Sequence, residues 1–172
     1  MGSVMRILLA TAFALAAVTP ALAAETPATN ACDKPEFKQL DFWVGDWDAK
    51  WKGGQGVNHI TKTYDGCVIE EHFDGTPSNH LRGHSVSMWF APTKDWRQTW
   101  VDNEGSYIAL RGGPDGKGDF VLTNVRLSEK APHLRMVFTD IKPDSFTWRW
   151  QSSKTGKKWE DRWVIHYTRQ KS

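Results

Sequence analysis

The chain has 172 residues, with 22 lysines and arginines against 20 aspartates and glutamates, so its formal charge is +2 with the two signs interspersed. No basic stripe results, which argues against nucleic acid or an anionic membrane surface as a partner. Ten tryptophans are far more than average usage supplies, and so many large rings need a core or a ligand to cover them.

At the N-terminus, Arg6 precedes the apolar run Ile7 to Val18, and Pro20 precedes Ala21-Leu22-Ala23-Ala24. A charged start, an apolar middle and an A-x-A site form the pattern of a secretory signal peptide over residues 1–24, cleaved near Ala23 or Ala24. The apolar run, about a dozen residues, falls short of the roughly twenty that a spanning helix needs. A lipoprotein is disfavoured, because Cys32 follows Thr29-Asn30-Ala31 with no leucine three residues before it. The expected product is periplasmic or secreted. Residues 25–36 read as a polar leader and 37–172 as one domain, with no linker, repeat or low-complexity tract to divide it.

The domain opens on Asp41-Phe42-Trp43-Val44-Gly45-Asp46-Trp47-Asp48-Ala49-Lys50-Trp51. Phe42 and Trp43 are bulky enough to plug one end of a barrel, Gly45 supplies a tight turn, and Trp47, Ala49 and Trp51 share a face at period two. Strands are then expected at Val57 to Tyr64, Cys67 to Phe73, Arg82 to Phe90, Trp96 to Val101 and Tyr107 to Leu110. Further strands follow at Phe120 to Leu127, His133 to Asp140, Phe146 to Gln151 and Trp159 to Tyr167, separated by Gly, Pro, Asn and Asp turn signals. No window carries helical periodicity long enough for a stable helix. The fold class is all-β: a single closed antiparallel up-and-down β-barrel of about ten strands, with a sandwich as the alternative.

Several of these stretches carry a resemblance. Asp41 to Trp47, Asn58-His59-Ile60, Gly66 to Phe73, Gly83-His84-Ser85, Trp96 to Asp102, and the closing Trp150, Ser153, Gly156, Trp159 and Tyr167-Thr168-Arg169 together resemble the DUF1579 group of exported bacterial proteins. The resemblance implies a calycin-like, lipocalin-related barrel without an assigned activity. Gly45-Asp46-Trp47 also resembles the lipocalin G-x-W signature. In the last hairpin, Lys154-Thr155-Gly156 departs from the more usual acidic, double-glycine turn.

Cys32 and Cys67 are the two cysteines, and in an oxidising compartment they are expected to pair as a structural disulfide. A functional thiol pair is the sharper alternative, but the C-x-x-C spacing that tunes thiol reactivity is missing. Among six histidines, His80 and His84 have a helical spacing but lie at a loop edge without a metal-binding motif, so no metal is expected. A haem of the kind held by nitrobindin-type barrels would need an inward axial ligand, for which His166 is the candidate; Ala49, in place of the glycine of a G-x-W-x-G pattern, speaks against it. No cofactor is expected.

Alternation assigns Cys67, Ile69, Glu71 and Phe73 to one face, and Trp96, Gln98, Trp100 and Asp102 to another. If the aromatic faces point inward, Glu71, Gln98 and Asp102 lie beside Trp89, Trp96 and Trp100, and Asn58 joins them. Ser85 and Ser87 are small enough to leave room for a cavity. Buried carboxylates need partners, so this set is either a structural network or the polar end of a ligand site. Trp47 and Arg169 are expected to meet where the last strand arrives beside the first, the guanidinium over the indole.

No nucleophile elbow, phosphate loop or Ser-His-Asp order is present. The leading reading is a barrel that binds a small apolar or aromatic molecule through Asn58, Glu71, Ser85, Trp89, Trp96, Gln98, Trp100 and Asp102. A lyase, isomerase or cyclase using Glu71 or Asp102 as base, and a filled structural or partner-binding barrel, are the alternatives.

Overall fold

The computed structural model describes residues 30–171. The expected signal peptide and the start of the polar leader lie outside the described residues. Ten antiparallel strands form a closed barrel: β1 Gly45–Trp51, β2 Gly54–Thr63, β3 Val68–Asp74, β4 Arg82–Phe90, β5 Asp95–Asp102, β6 Tyr107–Pro114, β7 Phe120–Asn124, β8 His133–Lys142, β9 Ser145–Ser153 and β10 Glu160–Arg169. Each strand pairs with its sequence neighbours, and β1 pairs with β10 to close the ring, setting Trp47 opposite Arg169. This excludes the sandwich. Among the described residues, no helix is long and apolar enough to cross a membrane.

Several strand bounds differ from the sequence reading, among them the start of β2 at Gly54 and the end of β7 at Asn124. β6 runs on to Pro114, because Asp115 accepts hydrogen bonds from the Lys117 and Asp119 amides and so places the turn later than Gly112 and Gly113 suggest. In β10 a bulge between Asp161 and Trp163 breaks the alternation expected from Trp159 onward. It lets Asp161 bond Arg149 and Gln151, which alternate with the inward Trp148 and Trp150, while Trp163 joins the interior.

The N-terminal segment closes one end of the barrel. Three 3-10 turns, Ala31–Asp33, Pro35–Lys38 and Asp41–Trp43, lead into β1. Leu40 and Trp43 are buried, and Phe42 packs edge-on against Phe120, Phe138 and Phe146 at ring separations of 5.4 to 6.1 Å. Indole and ammonium donors pin the plug: Trp47 Nε1 donates to the Trp43 carbonyl at 2.8 Å, Trp96 Nε1 to Gln39 at 3.1 Å, and Lys62 Nζ to the Phe37 carbonyl at 3.2 Å and to Asp41. Cys32 and Cys67 form a disulfide with Cα atoms 5.1 Å apart, tying the leader to the turn before β3. Such a bond suits an oxidising compartment.

Arg169 completes this end. Its guanidinium carbon lies 4.1 Å from the centre of a Trp47 ring, while Nη1 donates to the Val44 carbonyl at 2.9 Å and Nε to the Pro143 carbonyl at 3.1 Å. The expected cation–π contact is therefore present, with two backbone acceptors beside it.

Candidate functional site

Period-two alternation turns side chains inward, and the register between strands stacks them in layers. Next to the plug, Trp47, Trp96, Phe120, Phe138 and Phe146 fill the space. Toward the opposite end, half-buried rings line the wall instead, and between them is a cavity of about 160 Å³. Trp100, Trp148, Trp150 and Trp163 supply most of its aromatic surface, with Phe73, Leu81 and Ile108 near the opening, and Leu110, Met136 and Ile165 deeper. Its polar contributors are Glu71, Gln98, Asp102 and Tyr167.

Glu71 sits on β3 directly opposite Ser85 of β4. Ser85 Oγ donates to one carboxylate oxygen at 2.6 Å, and Asn58 Nδ2 donates to the other at 2.7 Å. Burial pushes the Glu71 pKa up to about 7, against the opposing pull of the hydrogen bonds from Ser85 and Asn58. Tyr167 stands beside this group, its Oη 3.4 Å from Asn58 Nδ2. Burial, reinforced by the Glu71 charge, moves its phenol above the ordinary range, so it stays neutral. Asn58 Oδ1 is buried without a partner.

The other polar groups are separate. Gln98 Nε2 donates to Ser87 Oγ at 3.0 Å across the β4–β5 pair. Asp102 lies at the open end, where it accepts from Trp100 Nε1 at 2.9 Å and from the Ser106 and Glu104 amides at 2.9 and 3.0 Å. Partial burial works to raise its pKa, but these hydrogen bonds together hold it below the ordinary value. Glu71, Gln98 and Asp102 all line this one cavity, each with hydrogen-bond partners of its own.

Of the sequence candidates, Glu71, Gln98, Trp100 and Asp102 line the cavity. Asn58 and Ser85 lie behind Glu71 as its hydrogen-bond partners, and the serines hold polar side chains in place instead of opening space. Trp89 and Trp96 face each other across β4 and β5 in the layer next to the plug, outside the cavity lining. The sequence reading passed over Phe73, Trp148, Trp150, Trp163 and Tyr167 as site residues. The alternation of β9 and the end of β10 carried that information; Leu81, brought in by the β3–β4 loop, left no such signal.

The histidines stay clear of the interior. His166 is exposed, with Nδ1 3.2 Å from Thr147 Oγ1, and Tyr167 takes the inward place beside it. The haem reading through His166 thus loses its ligand. His84 pairs with His72 across β3 and β4, their ring centres 4.5 Å apart, and the His80 carbonyl accepts from Asn103. Compared with known protein families and with curated proteins, the chain matches none.

Proposed function

We propose that this is an exported binding barrel that takes a small, partly apolar or aromatic molecule into the cavity at its open end. The carrying observation is the cavity itself, walled by four tryptophans and bearing a few polar groups. Apolar cavities on the order of 150 Å³ accept a single aromatic ring, and the open mouth lets a longer ligand project outward. A wholly filled structural barrel would place side chains there, as this one does beside the plug.

Export rests on the signal-peptide pattern over residues 1–24, and the disulfide is in keeping with a periplasmic or secreted product. We also read the chain as a relative of the DUF1579 group, on the order of its aromatic and glycine motifs. Residues 25–36 then form a leader and 37–172 the binding domain.

The test is titration with N-phenyl-1-naphthylamine, a neutral fluorescent aromatic, followed by its emission and by tryptophan quenching. Saturable one-site binding that is lost in Ile108→Trp, which fills the mouth, supports the reading. Non-saturable partitioning, or equal binding in the filled variant, overturns it.

A lyase or isomerase reading has one specific observation in its favour: a cavity carboxylate raised to about 7 suits a general base near neutral pH. Turnover of a bound compound that rises with pH through 7 and disappears in Glu71→Gln would convert the carrier into an enzyme.

A further inference from the structure

The charges on the cavity wall are all of one sign. Among the described residues, the charged side chains lining it are Glu71 in the middle of the barrel and Asp102 at the mouth; no lysine, arginine or histidine accompanies them. The basic groups of the inner layers are engaged elsewhere: Lys62 with Asp41 and Arg169 with the Val44 carbonyl, both at the plugged end. Tyr167 is kept neutral, and His72 and His84, which alternate with Glu71 and Ser85 along β3 and β4, lie with Arg82 and Asp74 in an outer groove that meets the cavity only at Phe73 and Asp102. Glu71 therefore has hydrogen-bond donors but no counter-ion.

A buried carboxylate without a cation is costly, and the protein has not removed the cost by substituting an apolar side chain. Two of the roughly four lone-pair positions of the carboxylate are occupied, one by Asn58 and one by Ser85, which leaves acceptor capacity on both oxygens. The rest of the wall is apolar, with four tryptophans among aliphatic side chains and Phe73. Trp148 and Trp150 stack at 6.3 Å with planes 8° apart, and Trp163 stands edge-on to Trp148 at 5.8 Å. Aromatic faces gathered around a carboxylate constitute the chemistry that recognises an ammonium group, because ring quadrupole and carboxylate both favour positive charge. An anionic ligand would meet repulsion at the mouth and again inside.

From this we infer that the cavity selects a small organic cation, an alkyl or aryl ammonium compound, with its charged nitrogen set between Glu71 and the tryptophan faces. The inference rests on the binding reading above and names the ligand class for that same site.

It carries a sign in pH. A cation pairs with ionised Glu71, so affinity rises as pH climbs toward and through 7 and levels off beyond it. Asp102 is ionised and Tyr167 neutral throughout that window, so neither reverses the trend.

The experiment compares phenyltrimethylammonium, permanently charged, with its uncharged carbon isostere tert-butylbenzene and with phenylacetate, by tryptophan quenching of the purified protein at pH 5.5 and 8. At pH 8 the cation is expected to bind at least tenfold more tightly than the isostere, with phenylacetate weakest. The preference should shrink about tenfold or more at pH 5.5 and disappear in Glu71→Gln. Equal or tighter binding of tert-butylbenzene or phenylacetate at pH 8 overturns the inference while leaving the binding reading standing. So does a cation preference that survives in Glu71→Gln or is flat with pH in the wild type, the second measurement being independent of whether the variant folds. Failure of all three probes to quench saturably overturns both readings together.

Discussion

The guanidinium of Arg169 occupies the place that a side chain on Gly45 would fill. A Cβ built on Gly45 falls on Arg169 Nη1, and the backbone there has φ +136°, where residues with side chains are strained. The glycine at the start of β1 and the arginine at the end of β10 are thus one device: absence of a side chain at one admits the other to the Trp47 face and the Val44 carbonyl.

Arg169→Ala removes a cation–π contact of about 0.5–2 kcal/mol and leaves the Val44 carbonyl without its partner. The ion pair with Asp144 at 3.5 Å adds little, because Asp144 is exposed. A loss of about 2 kcal/mol is expected, a fall in melting temperature of roughly 4–8 °C. Gly45→Ala should cost about as much by displacing the same guanidinium, so in the double variant the two losses add to less than their sum. Full additivity in thermal or urea unfolding would show that the two residues act independently.

Reducing the disulfide, or replacing Cys32 and Cys67 by serine, opens a loop between residues 35 apart in sequence. On loop-closure entropy the cost is roughly 3–4 kcal/mol, exerted through the unfolded chain. Urea denaturation with and without reductant measures it. An unchanged midpoint would mean that the plug holds itself in place through Lys62, Trp96 and Trp47 alone.

Glu71 ties stability to pH. Its folded pKa, about 7, lies above the ordinary 4.5, so the folded state holds the proton more tightly than the unfolded one. This contribution is full below pH 4.5, declines between 4.5 and 7, and is gone above, a change of roughly 3 kcal/mol for a shift of that size. Asp95 and Asp102, held below 3.8, act in the opposite sense and at lower pH. Wild-type stability should therefore fall from pH 4.5 to 7, and Glu71→Gln should flatten that part of the profile. A parallel slope in the variant would assign the pH dependence to another group.

At the mouth, a Cβ on Gly83 would fall within the Trp100 ring, so this indole lies flat on bare β4 backbone. Gly83→Ala must push Trp100 off that position. Because Trp100 lines the cavity and donates to Asp102, probe binding is expected to weaken at least tenfold while melting changes little. Unaltered affinity with shifted near-ultraviolet aromatic signals would show that the ring moves without serving the ligand.

The sequence made the barrel legible because nearly every strand alternates and nearly every turn carries Gly, Pro, Asn or Asp in its usual place. Gly45, Trp47 and Arg169 were legible because closure brings first and last strands together. The interior was harder. Alternation tells which face a residue occupies but not its height along the barrel axis, so Trp96, next to the plug, and Trp100, at the mouth, looked equivalent. Height is fixed by register with neighbouring strands, and the β10 bulge that takes Asp161 off the face of Trp163 arises from paired-strand geometry invisible in a single strand.

Closure through β1 and β10 also dictates an order of events. The residues that seal the ring, such as Val44 and Arg169, stand 125 positions apart, so the seam forms only after the whole chain is available, and long-range pairing of this kind is slow. Until then β1 is an open edge, rich in tryptophan and able to pair with another chain. A chain delayed at its last strand is thus vulnerable to aggregation at its first, and refolding yield, more than final stability, should register damage to β10.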